Sequence, residues 1–205
     1  DFITIFNRIY VNRLFPPFWH QLTLHCGWNG TGAGGPYWSA AASQQPPGNF
    51  QSSTWCCNPQ FRITARKACE VLLCLQQKDP QICNGGHVPK GDRDLSYGMT
   101  VIRVRPDEIG RIWKLHPGDV AHESGLTSSR ETVVALRLNA AEAFVAIPYT
   151  SQQGMEAPFV LRTFSSVPIE IEQLPAPLSL VVSGYWTGAS AGGSRHNPTW
   201  GSNPQ

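Results

Sequence analysis

The cysteines and histidines of this chain are the residue types that could support nucleophilic catalysis. Cys26, followed by Gly27 and Trp28, is the one superficial match to a cysteine-protease nucleophile. Such a nucleophile needs a helix N-terminus that lowers its thiol pKa, with a histidine and an asparagine elsewhere in the chain. Cys26 instead ends an alternating segment and precedes a glycine-rich turn. We therefore expect no catalytic residue here, and we interpret the cysteines as reduced thiols that act as small hydrophobic residues.

Metal binding requires several donors that converge on one point. Cys83 and His87 have the spacing of a ligand pair, but no second pair closes a tetrahedral site. Calcium needs several oxygen ligands from one loop, and no cluster of four or more carboxylates is present. We expect weak or no calcium binding and no cofactor; the residues that could converge in space as calcium ligands are Asp107, Glu108, Asp119 and Glu123.

The composition limits which partners and folds the chain can have. Its 205 residues include 16 Lys and Arg against 14 Asp and Glu, which gives a net charge of +2. This charge is too small to indicate binding to nucleic acid. No stretch reaches the roughly 18 continuous apolar residues of a membrane span. The 19 glycines and 17 prolines disfavour a helical bundle and indicate many turns joining short strands.

Apolar and polar residues alternate with a period of two along much of the chain. Segments 22–26, 134–138 and 167–171 show this pattern, which is typical of half-buried strands. Strands that recur every 10–15 residues between turn signals predict a two-sheet β-sandwich. Segment 63–78 fits either an amphipathic helix or a buried strand, and periodicity does not decide between them.

The chain also contains an internal repeat. Residues 28–35 reappear as 186–193, at an offset of 158, and residues 55–60 reappear as 200–205, at an offset of 145. The first copy therefore holds 13 additional residues, which we place within 40–53. A period this long is the size of a domain rather than of a solenoid repeat.

The repeat predicts the domain organisation. One complete domain occupies about 19–174, and 175–205 begin a second, truncated copy, while 1–18 are a linker from an upstream domain. The paired glycines of each copy supply turn conformations, because no Lys-Ser/Thr pair completes a phosphate-binding loop.

These motifs, in this order, resemble the C2-like β-sandwich domain of the calpain cysteine-protease family, called domain III. The shared features are a Trp followed by Ala-Gly-Gly, then Asn58-Pro59-Gln60-Phe61, and then the strand-like segments 144–150 and 159–165. The resemblance implies an all-β, antiparallel sandwich of about eight strands, with strands at 60–64 and 70–76 instead of one helix. It also implies a tandem pair similar to that of calpain-10. Residues 140–142 and the 13-residue insertion depart from the family pattern.

Two functions remain open. The resemblance implies a non-catalytic regulatory or interaction module of a cytoplasmic, calpain-like cysteine protease. The parent protein would carry out limited proteolysis or, with an inactive protease domain, act as a scaffold, in some members a cytoskeletal one. Its partners would be an upstream protease domain and a second C2-like domain in cis, with a protein or phospholipid as a further partner. The alternative is a secreted β-sandwich binding module, for example a carbohydrate-binding one, with a glycan on the Asn29 sequon and a disulfide such as Cys69–Cys83. Exposed Trp and Tyr side chains would be its stacking platforms, and Trp28 and Trp55 are candidates for this role.

Overall fold

A computed structural model describes eight stretches of the chain, and every structural statement below refers to them. They are residues 14–38, 54–77, 95–104, 110–115, 117–140, 142–177, 187–188 and 191–203. Within these stretches the regular structure is β-strand with short 3₁₀ turns. The nine strands are β1 His20–Trp28, β2 Phe61–Ala65, β3 Cys69–Gln77, β4 Tyr97–Val104, β5 Val120–Glu123, β6 Glu131–Leu138, β7 Ala143–Thr150, β8 Ala157–Ser165 and β9 Ile169–Gln173.

The strands form two antiparallel sheets. The four-stranded sheet has the order β1-β8-β3-β6, and the five-stranded sheet has the order β5-β4-β7-β2-β9. Strands that are adjacent in sequence often lie in different sheets, as β2 and β3 do, so the chain crosses between layers repeatedly. The all-β sandwich predicted from the sequence is confirmed.

The main core fills the space between the sheets. Its largest fully buried side chains include Trp28, Tyr97 and Phe159. The Trp28 ring packs on Phe159 with 4.4 Å between centroids, and its Nε1 donates to the Pro148 carbonyl oxygen at 3.0 Å. The indole thus buries its apolar surface without leaving a polar atom unsatisfied.

A second apolar cluster covers the outer face of the five-stranded sheet. Three irregular stretches, 54–58, 110–115 and 174–175, lie against β4 and β7, so these two strands are buried on both faces. This explains why 144–149 form a continuous apolar run rather than an alternating one. The cluster consists of Trp55, Cys56, Ile102, Val104, Ile112, Leu115, Ala143, Val145, Ile147 and Leu174.

The ambiguous segment 63–78 contains parts of two strands rather than one helix. β2 ends at Ala65, Arg66 and Lys67 lie in a bend, and β3 begins at Cys69. The nine strands exceed the predicted number of about eight by one. The strand β5 escapes sequence detection because it has four residues, two of them exposed, and so carries no alternating apolar signal.

Candidate functional site

Asn58 organises a turn at one corner of the sandwich. Its Oδ1 accepts from the Gly34 N–H at 3.0 Å, and its Nδ2 donates to the Gly35 carbonyl oxygen at 2.7 Å. The Thr54 hydroxyl donates to the Gly34 carbonyl oxygen at 2.8 Å. We call Gly34, Gly35, Thr54, Trp55 and Asn58 the Asn58 turn. Gly35 has a φ of +73°, which favours glycine, so these residue types are what the turn geometry requires.

Gln60 and Arg111 fasten the Asn58 turn to the loop at 110–115. The buried Gln60 side chain accepts from the Ile112 N–H at 2.8 Å and donates to the Ile112 carbonyl oxygen at 2.9 Å. Arg111 Nη1 donates to the carbonyl oxygens of Cys56 at 2.7 Å and Asn58 at 2.8 Å. These contacts join residues more than 50 positions apart, so the sequence showed Gln60 only as a member of the family motif and gave no indication of Arg111.

The same hydrogen bonds recur in the second half of the internal repeat. Asn203 Oδ1 accepts from the Gly192 N–H at 2.7 Å, and Nδ2 donates to the Gly193 carbonyl oxygen at 2.8 Å. The Thr199 hydroxyl donates to the Gly192 carbonyl oxygen at 2.9 Å. We call Gly192, Gly193, Thr199, Trp200 and Asn203 the Asn203 turn. The sequence repeat is therefore also a repeat of local structure.

The two turns differ in how well they are covered. Trp55 is 3% exposed beneath the second apolar cluster, whereas Trp200, at the equivalent position, is 47% exposed. The predicted location of the 13 additional residues, 40–53, lies outside the described residues.

The four calcium candidates are not assembled into a site in the described part of the chain. Asp107 and Glu108 fall outside the described residues. No group of three or more potential metal ligands occurs within the described ranges. Glu123 uses both carboxylate oxygens: Oε1 accepts from the Tyr149 hydroxyl and, at 3.2 Å, from the Gly125 N–H, and Oε2 accepts from the Thr100 hydroxyl at 2.6 Å. Burial, followed by the Glu123 carboxylate, raises the pKa of the Tyr149 hydroxyl.

Cys26 lies in β1, in register with Phe159 of β8, and points toward the main core. Burial raises the pKa of its thiol, which is the opposite of what a catalytic nucleophile requires. Cys83 and His87, which have ligand-like spacing but were not expected to bind a metal, lie outside the described residues. The structure thus brings no candidate nucleophile or metal ligand into a reactive set within the described residues.

The tryptophans proposed for ligand stacking do not face solvent. Trp28 is 0% exposed and Trp55 is 3% exposed, so stacking of either on a ligand is excluded. The five described cysteines, Cys26, Cys56, Cys57, Cys69 and Cys74, are all free thiols. Cys69 therefore has no disulfide here, while its proposed partner Cys83 lies outside the described residues.

The outer face of the four-stranded sheet is partly apolar. Phe164 of β8 lies beside Leu72 of β3, and Val133 of β6 is 47% exposed. The chain enters the domain over this face, because the Phe15 ring stacks on Phe164 with 4.3 Å between centroids. We name the four-stranded sheet sheet A, and we call Leu72, Val133, Val160 and Phe164, on its outer side, the sheet-A face.

Comparison with known proteins agrees with this architecture. The sequence model for domain III of the calpain large subunit matches residues 37–164, more than half of the chain. No helix in the described part of the chain has the length and apolarity to cross a membrane.

Three curated relatives illustrate where such a segment occurs. The calpain-type cysteine protease ADL1 of Oryza sativa subsp. japonica is 28% identical over 183 residues, covering 84% of this chain and 8% of the relative. The putative calpain-like cysteine protease A of Dictyostelium discoideum is 27% identical over 198 residues, covering 91% of this chain and 25% of the relative. A serine/threonine-protein kinase 4 homolog B, also from Dictyostelium discoideum, is 24% identical over 192 residues, covering 90% of this chain and 15% of the relative. The chain thus spans a quarter or less of the length of these relatives.

Proposed function

Since this chain belongs to the calpain family, as a domain of the large-subunit domain III type, we propose that it is a non-catalytic regulatory module. It would act in cis on a cysteine-protease domain that precedes it in the same polypeptide. The observation that carries the proposal is the family match over 37–164. The likeness to a relative named as a kinase supports a role separable from proteolysis, since segments of this kind occur beside differently named catalytic domains.

The sheet-A face is the proposed contact with the upstream domain. The incoming chain already packs there through Phe15 on Phe164, so the preceding domain is tethered next to this face. Val133, with 47% of its surface exposed at the edge strand β6, offers apolar area that a neighbouring domain would cover. Inter-domain contacts of this kind let a module hold its partner in an active or inactive arrangement.

The test uses the full-length protein with Val133→Asp. We expect the rate of cleavage of a protein substrate to change by about tenfold, which corresponds to about 1.4 kcal/mol of lost contact energy. Leu126→Asp is the matched control, because Leu126 is 44% exposed but lies outside the sheet-A face. Equal effects of both substitutions would refute this contact. If the full-length wild-type protein cleaves no substrate, the regulatory role is wrong and a scaffold role takes its place.

We further propose that 175–205 begin a second copy of the domain, so that two such domains follow one another in the full-length protein. The matched hydrogen bonds of the Asn58 and Asn203 turns support this, as do the φ angles of +73° at Gly35 and +76° at Gly193. In the full-length protein, Trp200 would then be buried as Trp55 is. Acrylamide quenching of tryptophan fluorescence measures the exposure of Trp200, which is obtained as the difference between the wild type and Trp200→Phe. Quenching of Trp200 as strong as that of an exposed indole would contradict the second copy.

The cytoplasm is the proposed location. The five free thiols among the described cysteines support a reducing compartment, and burial removes Trp28 and Trp55 as stacking platforms for the secreted alternative. The proposed module does not require calcium. Besides the protease domain, its proposed partner is a further protein or a phospholipid. Mass spectrometry of the native protein tests the compartment: a glycan on Asn29 would contradict it.

A further inference from the structure

Two adjacent thiols lie in the Asn58 turn. Cys56 and Cys57 belong to the 3₁₀ turn Trp55–Cys57, in which the Cys57 N–H donates to the Thr54 carbonyl oxygen at 2.9 Å. Cys56 is 7% exposed, whereas Cys57 is half-buried and reaches solvent. Burial, followed by the neighbouring Cys57, raises the pKa of the Cys56 thiol.

The internal repeat shows that the turn does not need these thiols. In the Asn203 turn the equivalent positions are Gly201 and Ser202, yet the 3₁₀ turn Trp200–Ser202 and its hydrogen bonds are retained. In the 3₁₀ turn Trp55–Cys57 the Asn58 N–H donates to the Trp55 carbonyl oxygen at 3.1 Å, the same distance as its counterpart at Asn203. The dithiol is therefore an addition to the turn rather than part of its architecture.

The positively charged side chain of Arg111 lies beside the two cysteines. The Arg111 guanidinium donates to the Cys56 carbonyl oxygen at 2.7 Å, so a positive charge lies beside the turn that holds both thiols. Redox-sensitive cysteines are solvent-accessible and stand beside a second thiol that resolves the first oxidation product. Cys57 reaches solvent and Cys56 is the second thiol beside it, whereas Cys26, Cys69 and Cys74 lie in strands with no other cysteine adjacent in sequence.

We propose that Cys56 and Cys57 form a redox-modification site that hydrogen peroxide converts into a disulfide between adjacent residues. The Cys57 thiolate attacks one peroxide oxygen, the O–O bond breaks, and Cys57 becomes a sulfenic acid as the other oxygen leaves as water after taking a proton. The Cys56 sulfur then attacks the Cys57 sulfur, the S–O bond breaks and a second water leaves. The two thiols together lose two electrons and two protons, and one peroxide becomes two waters.

The disulfide is reversible because the geometry strains it. Adjacent Cα atoms lie about 3.8 Å apart, whereas disulfides usually join Cα atoms about 4.4–6.8 Å apart. Strained disulfides are the labile ones, so a dithiol reductant restores the thiols. Closing the ring distorts the Cys56–Cys57 peptide and hence the carbonyl that accepts from Arg111, so oxidation loosens the corner that Arg111 closes.

The test treats the 205-residue chain with hydrogen peroxide, blocks the remaining thiols by alkylation and digests it with chymotrypsin. Cleavage after Trp55 and Phe61 releases a peptide, 56–61, that contains both cysteines and no other. We expect this peptide to lose two hydrogens and to take no alkyl label, and dithiothreitol to restore both labels. Alkylation of both cysteines after peroxide treatment would overturn the proposal, as would a Cys57 sulfinic acid beside an alkylated Cys56.

Two variants complete the experiment. Cys57→Ser reproduces the residue that the Asn203 turn holds at this position, so it retains the fold, and we expect Cys56 to remain alkylatable after peroxide treatment. Cys26→Ser is the control, and the 56–61 peptide should oxidise in it as in the wild type. Faster oxidation of Cys26 than of the 56–61 peptide in the wild type would also overturn the proposal.

Discussion

Asn203 repeats the hydrogen bonding of Asn58: in each, the carboxamide bridges the two residues of a Gly-Gly pair, and the N–H donates to the carbonyl of a Trp at 3.1 Å. The partners are Gly34 and Gly35 in one turn and Gly192 and Gly193 in the other. The first turn is buried against the sandwich, whereas the second is largely exposed. One local design thus occurs in two environments within one chain, which makes each turn a control for the other.

Asn58→Ala should lower the free energy of unfolding by about 2–4 kcal/mol, because it leaves the buried Gly34 N–H and Gly35 carbonyl without partners. Asn203→Ala should cost less than about 1 kcal/mol, since water replaces the lost partners at its more exposed turn. Urea denaturation of both variants measures the difference. Equal losses would mean that burial does not set the strength of the Asn58 turn.

Gly98→Ala should destabilise the sandwich by about 1–3 kcal/mol through overpacking. A Cβ at Gly98 would collide with the Tyr149 hydroxyl and the Gly125 carbonyl oxygen, and so disturb the hydrogen bond to Glu123. Gly201→Ala is the control, since the equivalent position in the Asn58 turn already holds the side chain of Cys56. Thermal melts compare the two; a melting temperature for Gly98→Ala equal to that of the control would contradict the close packing.

Calcium should leave the melting temperature of this chain unchanged, because both oxygens of Glu123 already accept protein hydrogen bonds. Glu123→Gln should lower the free energy of unfolding by about 1–2 kcal/mol through the loss of charge-assisted hydrogen bonds. Thermal melts with calcium and with chelator check the melting temperature, and urea denaturation of Glu123→Gln checks the free energy of unfolding. Calorimetric titration measures the calcium affinity directly. Micromolar affinity that Glu123→Gln abolishes would show that the carboxylate is a metal ligand.

Stability should fall between about pH 9 and pH 11 because of Cys74. Burial raises the pKa of this thiol from 9.0 to about 11, and the nearby Glu131 adds to the shift. The thiol stays neutral in the folded state after it ionises in the unfolded state, so its contribution is complete below pH 9 and is lost as pH rises to about 11. Two pKa units correspond to about 2–3 kcal/mol. Cys74→Ala should show a shallower decline over this interval in chemical denaturation, and an identical decline would contradict the assignment.

Local patterns predicted much of the fold. The alternation at 134–138 correctly placed Val134, Leu136 and Leu138 toward the core, since a strand face depends only on period two. The helix-or-strand ambiguity of 63–78 required the family resemblance, because its apolar spacing satisfies both periods. The short β5 left no signal of its own.

The features that sequence reasoning missed depend on contacts between distant residues. Arg111 reaches Cys56 and Asn58, and Ile112 and Leu115 become core residues only because the loop at 110–115 folds over the five-stranded sheet. Nothing near residue 111 in the sequence encodes that contact. The sequence offered Glu123 only as a calcium candidate, whereas its hydrogen-bond partners in the structure, Thr100 and Tyr149, come from two other strands.

The Arg111 guanidinium also holds the segment by which the chain leaves the sandwich. Its Nε donates to the Pro175 carbonyl oxygen at 2.8 Å, while Nη1 holds the carbonyls at 56 and 58. One side chain therefore ties the exit direction of the polypeptide to the interior of the domain. In the proposed tandem arrangement, a structural change at Cys56 and Cys57 would therefore alter the direction in which the chain leaves the sandwich at Pro175.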